Sequence, residues 1–287
     1  MSAVLEVTGL SMRFGGLLAV DRVDFSVRQG EIFAIIGPNG AGKTTVFNCI
    51  SGFYQPTAGQ INLYTGDNTI DLIRVLGMPL QRGDFIRPKA LLERLYYGLF
   101  GGSFWVARAG VARTFQNVRL FKNMTVVENM LIAQHTQLQT GLSGFVRGLF
   151  QTPRYRRSER QALERAAFWL EKVGLLPYAN REAGNLPYGQ QRRLEIARCM
   201  VTRPRLLLLD EPAAGLNPQE TRELDRLILE LRAEQGVSVL LIEHDMSLVM
   251  SLSDRILVMD HGRSVAVGTP AEIRAHPQVI KAYLGEA

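Results

Sequence analysis

The residues EIFAIIGPNGAGKTTVFNCISG, Glu31 to Gly52, allow few folds. The apolar run EIFAIIG reads as a buried strand, and AGKTTVFNCISG reads as a helix closed by Gly52 at its C-terminus. Between them, Gly37, Pro38, Asn39, Gly40, Ala41, Gly42, Lys43 and Thr44 fit the pattern G-x-x-x-x-G-K-[ST]. Glycines let a backbone wrap phosphate groups with its N–H bonds pointing inward, and the helix N-terminus adds partial positive charge. Lys43 is expected to reach the β- and γ-phosphates of a nucleoside triphosphate. The Thr44 hydroxyl is expected to ligate magnesium, and Thr45 joins the nucleotide contacts.

A second run, RLLLLDEP, supplies what the loop lacks. Its leucines bury a strand, and Asp210 emerges at the C-terminal end, where open α/β sheets bind ligands. Asp210 can hold the magnesium, and Glu211 can polarise an attacking water. VSVLLIEH is another buried strand. Strands apolar on both faces, alternating with helices such as GQQRRLEIARCMV and TRELDRLILELRAEQG, indicate a parallel sheet covered on two sides. VLEV, VDFSV and GQINLY read as further short strands, RILVMDHGRSVAVG as a hairpin, and TPAEIRAHPQVIKAYLG as one or two short helices. Residues 126–173 read as mostly helical, with loops near TGLSGF and QTPRYRR.

Composition bounds the partners. The chain has 287 residues, a formal net charge of +6 and 46% hydrophobic residues, enough for a real core. Basic charge favours nucleotides, nucleic acid or an anionic membrane face, and also suits a merely soluble basic protein. The arginines 154, 156, 157, 160 and 165 read as a solvated helix face, with a nucleic-acid patch as the minor alternative. Cys49 and Cys199 lack metal-ligand spacing and read as small core residues in a reducing compartment. The start MSAVLEVTGL lacks the pattern of a signal peptide. Spanning a bilayer takes roughly 20 apolar residues, and LYYGLFGGSFWVA is too short and glycine-broken, so the chain is expected to sit on a membrane at most.

The order of the motifs resembles the ATP-binding subunits of ABC transporters. Gln116 in ARTFQNVRLF matches the Q-loop, LPYGQQRR the signature, GLNP the D-loop, His244 in LLIEHDM the switch, and Phe14 in MRFGG the aromatic that stacks on adenine. Taken singly, Gln116 would be a surface amide, His244 a strand-end imidazole and Phe14 core packing. GGLLAV, NVRLFKNMTVVENM, DEPAAGLNP and the ending VIKAYLGEA narrow the resemblance to the ATPase subunit of bacterial branched-chain amino acid importers. It implies an α/β P-loop NTPase with a parallel core sheet, an antiparallel β subdomain and a helical subdomain. The nucleotide-binding core would take 1–115 and 203–270, the helical subdomain 116–202 and a helical tail 271–287.

The same resemblance implies ATP and Mg2+ as ligands. Thr44, Gln116 and Asp210 would serve the metal, Glu211 the water and His244 the γ-phosphate. Tyr188, Gly189 and Gln190 would face the ATP of a second, similar ATPase subunit. Two membrane permease subunits and a periplasmic amino-acid-binding protein complete the implied assembly at the cytoplasmic face of the inner membrane, with no nucleic acid. Transport of another solute, a soluble non-transport ABC ATPase, and a silent ATP-binding partner are the alternatives. Pro187 and Tyr188 depart from the usual serine and glycine of the signature, and Asn217 from the usual aspartate of the D-loop. Residues 66–105 look like an atypical insertion with basic residues (Arg82, Arg87, Lys89, Arg94) followed by aromatic ones (Tyr96, Tyr97, Phe100, Phe104, Trp105). They could be a loop without a role or a contact with the membrane or its subunits.

Overall fold

The computed structural model describes residues 2–66, 68–77, 102–134 and 153–279. Contacts divide the chain into two units. The first is Met1–Arg113 with Pro204–Glu211 and Ile228–Ala287; the second is Thr114–Arg203 with Pro212–Leu227. The second unit contains the stretch 116–202 expected to be helical, and it also takes the residues after Glu211.

The described strands all belong to the first unit. They are β1 (Ala3–Phe14), β2 (Leu17–Arg28), β3 (Ile32–Ile36), β4 (Ala58–Thr65) and β5 (Asn68–Asp71), then β6 (Val111–Arg113), β7 (Leu206–Asp210), β8 (Ser238–Ile242), β9 (Arg255–Asp260) and β10 (Arg263–Gly268). One sheet is antiparallel, in the order β2-β1-β4-β5; the other runs β10-β9-β3-β8-β7-β6. In the second sheet β6, β7, β8, β3 and β9 are parallel, and β10 closes the expected hairpin against β9.

β3, β7 and β8 are each five residues long and buried throughout, as their apolar runs require when both faces are covered. Their register fixes the site. Asp210 pairs with Ile242, Ile242 with Ile35, and Ile35 with Leu257, one row across the sheet. The chain leaves β3, β7 and β8 at the same edge. β1 and β2 run for 12 residues each, longer than the short bursts the sequence suggests. β1 is interrupted between Val7 and Leu10, where Gly9 has φ 57°, and exposed polar residues such as Thr8, Arg22 and Asp24 break the apolar pattern, so alternation shows only part of each strand.

Three helices of the first unit bear on the site or its support: α1 (Lys43–Ile50), α2 (Leu72–Val75) and α3 (Ser103–Arg108). Leu72 and Ile73 are buried and Trp105 packs half-buried against the same core, so both ends of the segment 66–105 belong to the core of this unit. Its central residues, including Arg82, Arg87, Lys89, Arg94, Tyr96, Tyr97 and Phe100, lie outside the described residues, as do 280–287 of the tail. Burial pushes the Cys49 thiol up to about 12, which makes it inert packing.

The second unit is helical. α4 (Val126–Ala133) starts from a reciprocal cap: the Glu128 N–H donates to Thr125 Oγ1 at 3.3 Å, and the Thr125 N–H donates to Glu128 Oε2 at 2.7 Å. α5 (Pro153–Lys172) begins at the proline of QTPRYRR, expected to be a loop. Proline suits the first helical position, where its missing N–H costs nothing. Arg156, Arg157 and Arg160 are exposed on it, and Arg160 pairs with Glu164 one turn on. α6 (Tyr188–Met200) follows the signature, and α7 (Pro218–Gln235) begins in this unit and ends in the first.

A buried ion pair organises α6. Arg192 is fully buried and donates to Glu195 Oε2 at 2.8 Å, Phe115 O at 2.7 Å and Gln116 O at 3.0 Å. Glu195 Oε1 accepts from the N–H groups of Phe115 and Arg119 at 3.3 and 3.2 Å. The helix thus grips the backbone around Gln116 from both sides with opposite charges. Removing one partner strands the other charge, a cost of about 3–5 kcal/mol. Glu195→Ala should therefore lower the free energy of urea unfolding by that amount, while Arg160→Ala, at the exposed pair, should change it by less than about 1 kcal/mol.

Candidate active site

The phosphate loop leaves the buried end of β3. A Cβ on Gly37 would collide with the carbonyl of Met259, and one on Gly42, at φ 96°, would lie 2.6 Å from the carbonyl of Ala19. The loop is therefore pressed onto neighbouring backbone that only glycine tolerates. Gly42 caps α1, and Lys43 is its first residue. The buried Lys43 amine donates to Gly37 O at 2.7 Å and Pro38 O at 3.0 Å, across the mouth of its own loop. Burial pushes this amine below the usual lysine range, and the Glu211 and Asp210 carboxylates partly offset that. Pro38, Asn39, Gly40 and Thr44 are exposed, Thr45 is half-buried and Ala41 is buried.

The ends of β7 and β8 bring the acidic residues to the same place. Asp210 is the last residue of β7 and is buried. Glu211 follows with φ 45°, a left-handed backbone that a side chain rarely adopts. Its N–H donates to Ile242 O at 2.9 Å, which holds that conformation against the end of β8. Two residues beyond β8, His244 places Nε2 2.7 Å from Glu211 Oε1. The neighbouring Asp245 caps the next helix, accepting from Ser247 N at 2.8 Å and Leu248 N at 3.3 Å, and this sets where His244 leaves the chain. A carboxylate on an imidazole beside a loop lysine is a group able to accept a proton from water.

The first unit thus gathers Lys43, Asp210, Glu211 and His244 around the exits of three strands. Phe14 ends β1 and is 41% exposed, so it is not core packing; its ring meets the edge of Tyr54 at 5.2 Å. Tyr54 has no sequence signal of its own beyond lying just after α1. Arg113, unassigned in the sequence, ends β6 and donates to Asp210 Oδ2 at 2.8 Å.

Gln116, Tyr188, Gly189 and Gln190 lie in the second unit. Gln116 is exposed, with its carbonyl held by Arg192. Pro187 takes the cap position of α6, and Tyr188 begins the helix. Gly189 is buried, and a Cβ there would run into the Glu220 carboxylate. Glu220 also caps α7: its Oε2 accepts from Asn217 N at 3.0 Å, and Asn217 Oδ1 accepts from Gln219 N at 2.9 Å and Glu220 N at 3.0 Å. The Asn217 that departs from the D-loop pattern therefore serves as a helix cap. The Tyr188 ring packs on Gly215, 3.3 Å from where a Cβ would stand. Signature and D-loop are packed together in this unit, a contact across about thirty residues of chain that local patterns do not reveal.

Among the described residues no group of three His, Cys, Asp or Glu could hold a metal. One carboxylate and one hydroxyl, Asp210 and Thr44, suit a hard cation that completes its shell with phosphate oxygens and water. The donor set therefore fits Mg2+ bound with a nucleotide rather than alone.

Comparison with known proteins identifies the family. A family model described as ABC transporter matches residues 20–214, and one described as branched-chain amino acid ATP-binding cassette transporter matches 263–287. The high-affinity branched-chain amino acid transport ATP-binding protein BraF of Pseudomonas aeruginosa is 58% identical over 99% of this chain and 98% of its own length. LivG of Escherichia coli, described in the same words, is 56% identical over the same shares. A crystal structure of an ATP-binding cassette of an ABC transporter in its ADP conformation superposes with a TM-score of 0.73 at 30% identity, covering all of both chains.

The buried Lys43 amine lies within the loop, bonded to its carbonyls, so Lys43→Ala should weaken binding of a fluorescent ATP analogue to the purified chain by about tenfold or more. Equilibrium titration reads this directly, and unchanged affinity would remove Lys43 from the site.

Proposed function

This chain belongs to the ABC transporter family of ATPases, and from that premise we propose that it hydrolyses ATP to power import of branched-chain amino acids through partner membrane subunits. The observation that carries the proposal is the Glu211–His244 contact at 2.7 Å beside Asp210 and Lys43. A silent ATP-binding partner has no need of this arrangement. The solute class comes from the BraF and LivG relatives, since the residues described above recognise phosphate and not a transported solute.

Phe14 stacks on adenine, and the loop from Gly37 to Thr45 wraps the phosphates with Lys43 on the terminal ones. Thr44 and Asp210 would hold Mg2+, with Gln116 as the further ligand that the family resemblance implies, and the ion would supply positive charge against the phosphate oxygens. Glu211 takes a proton from water as the water oxygen attacks the γ-phosphorus. The bond from that phosphorus to the bridging oxygen breaks, giving ADP and inorganic phosphate. His244, hydrogen-bonded to Glu211, holds the carboxylate and contacts the γ-phosphate. Tyr188, Gly189 and Gln190 face the nucleotide of a second ATPase subunit, so the site is completed by pairing.

None of the helices among the described residues is long and apolar enough to cross a membrane. The proposed place is peripheral, on the cytoplasmic face of the membrane. There the pair drives two permease subunits supplied with solute by a periplasmic binding protein. Reconstitution with candidate permease subunits in vesicles tests this. ATP-dependent uptake of radiolabelled leucine supports the reading, whereas ATP turnover that drives a different solute would retain the ATPase and reject the substrate class.

Glu211→Gln should keep ATP binding and slow turnover roughly 10²–10⁴-fold, the usual cost of losing a general base. Normal phosphate release in the assembled transporter would rule Glu211 out as the base. Gly189→Asp should abolish turnover, because its carboxylate would meet both Glu220 and the partner's nucleotide.

A further inference from the structure

The best-connected side chain at the site is one that the ATPase chemistry above does not use. The Arg113 guanidinium forks. Nη2 donates to Asp210 Oδ2 at 2.8 Å, while Nη1 donates to Asn48 Oδ1 at 2.6 Å and Ser51 Oγ at 2.8 Å. The ion pair is buried at both ends, with 8% and 5% of the two side chains exposed. The rings of Phe47 and Phe53 lie 5.7 and 5.6 Å from the guanidinium carbon, which leaves the group little room to turn.

The acceptors on α1 are not arbitrary. Thr44, Asn48 and Ser51 are spaced i, i+4 and i+7, one stripe of the helix and its cap. Arg113 therefore grips, through Asn48 and Ser51, the same stripe whose first member is the threonine proposed for Mg2+. Its other arm grips Asp210, the carboxylate proposed for the same ion. The two ligands come from separate elements, α1 and β7, and one planar cation spans the distance between those elements. Ser51 is itself fixed, donating to Phe47 O at 2.6 Å. Lysine could pair with Asp210 but, with a single ammonium, could not reproduce the fork.

We propose that Arg113 is a positioning residue for Mg2+, bracing Asp210 against the helix that carries Thr44 so that the two ligands are held at a fixed separation. This rests on the assignment of Asp210 and Thr44 to the metal. Partners that orient metal ligands typically change metal affinity by roughly 10–100-fold when removed.

The test uses the purified full chain and a fluorescent ATP analogue, titrated with Mg2+ and, separately, in EDTA. The readout is the Mg2+ concentration that half-saturates the metal-dependent change in affinity. In Arg113→Met that concentration should rise by roughly 10–100-fold, with affinity in EDTA unchanged. Arg113→Lys should recover part of the shift. Asn48→Ala should move it in the same direction by less, because it keeps the charge and loosens only the anchor; it also carries the test should Arg113→Met fail to fold. A half-saturation point unchanged in Arg113→Met, or in Asn48→Ala should Arg113→Met fail to fold, while Asp210→Asn shifts it, would leave Asp210 as the ligand and overturn the role of Arg113. An unchanged point in Asp210→Asn would overturn the ligand assignment, and this inference with it.

Discussion

The parallel register of β3, β8 and β7 is the constraint on which the site depends. Ile35, Ile242 and Asp210 stand in one row, so the loop, the Asp-Glu pair and the His244 turn leave the sheet at one edge. Shifting one strand by a single residue would reverse which face its side chains meet. It would also part Glu211 from the Ile242 carbonyl that holds its backbone. Buried apolar residues on both faces of all three strands make such a shift costly. Hydrophobic burial thereby sets a polar geometry.

On that frame, two arginines act as cross-ties, one in each unit. Arg113 ties a strand end to α1, and Arg192 ties α6 to the backbone around Gln116. Buried ion pairs add little net stability, since desolvation offsets most of the attraction. Their value here is direction. A guanidinium fixes several acceptors at once in one plane, something apolar packing cannot do for carbonyls and carboxylates. Glu220 does similar work with one carboxylate, capping α7 through Asn217 while lying where a side chain at Gly189 would stand.

Much of this was legible in the sequence, for a definable reason. β3, β7 and β8 are short apolar runs, and the residues after the first two follow fixed patterns, so loop, Asp210 and Glu211 could be located without coordinates, whereas His244 was marked only by the resemblance to the family. What stayed hidden depends on distant partners. Arg113 meets Asp210 across 97 positions, and no period in the chain encodes that pairing. Pro153 looked like a break because proline ends helices as readily as it starts them. Residues 66–105 looked foreign to the fold because their core contributions, Leu72, Ile73 and Trp105, stand at its two ends and share no sequence period. Asn217 showed in the sequence only as a departure from the usual aspartate of the D-loop, and its role as a cap needed the structure.

The left-handed backbone at Glu211 has a thermodynamic implication. A side chain in that conformation costs about 1–3 kcal/mol relative to an unstrained residue, and glycine would largely avoid the cost. Glycine there would relieve the backbone but lose the 2.7 Å contact with His244, so the strain is offset only in part by what the side chain touches. The backbone at Glu211 is thus held by its neighbours, the Ile242 carbonyl on one side and His244 on the other, and not by its own preference.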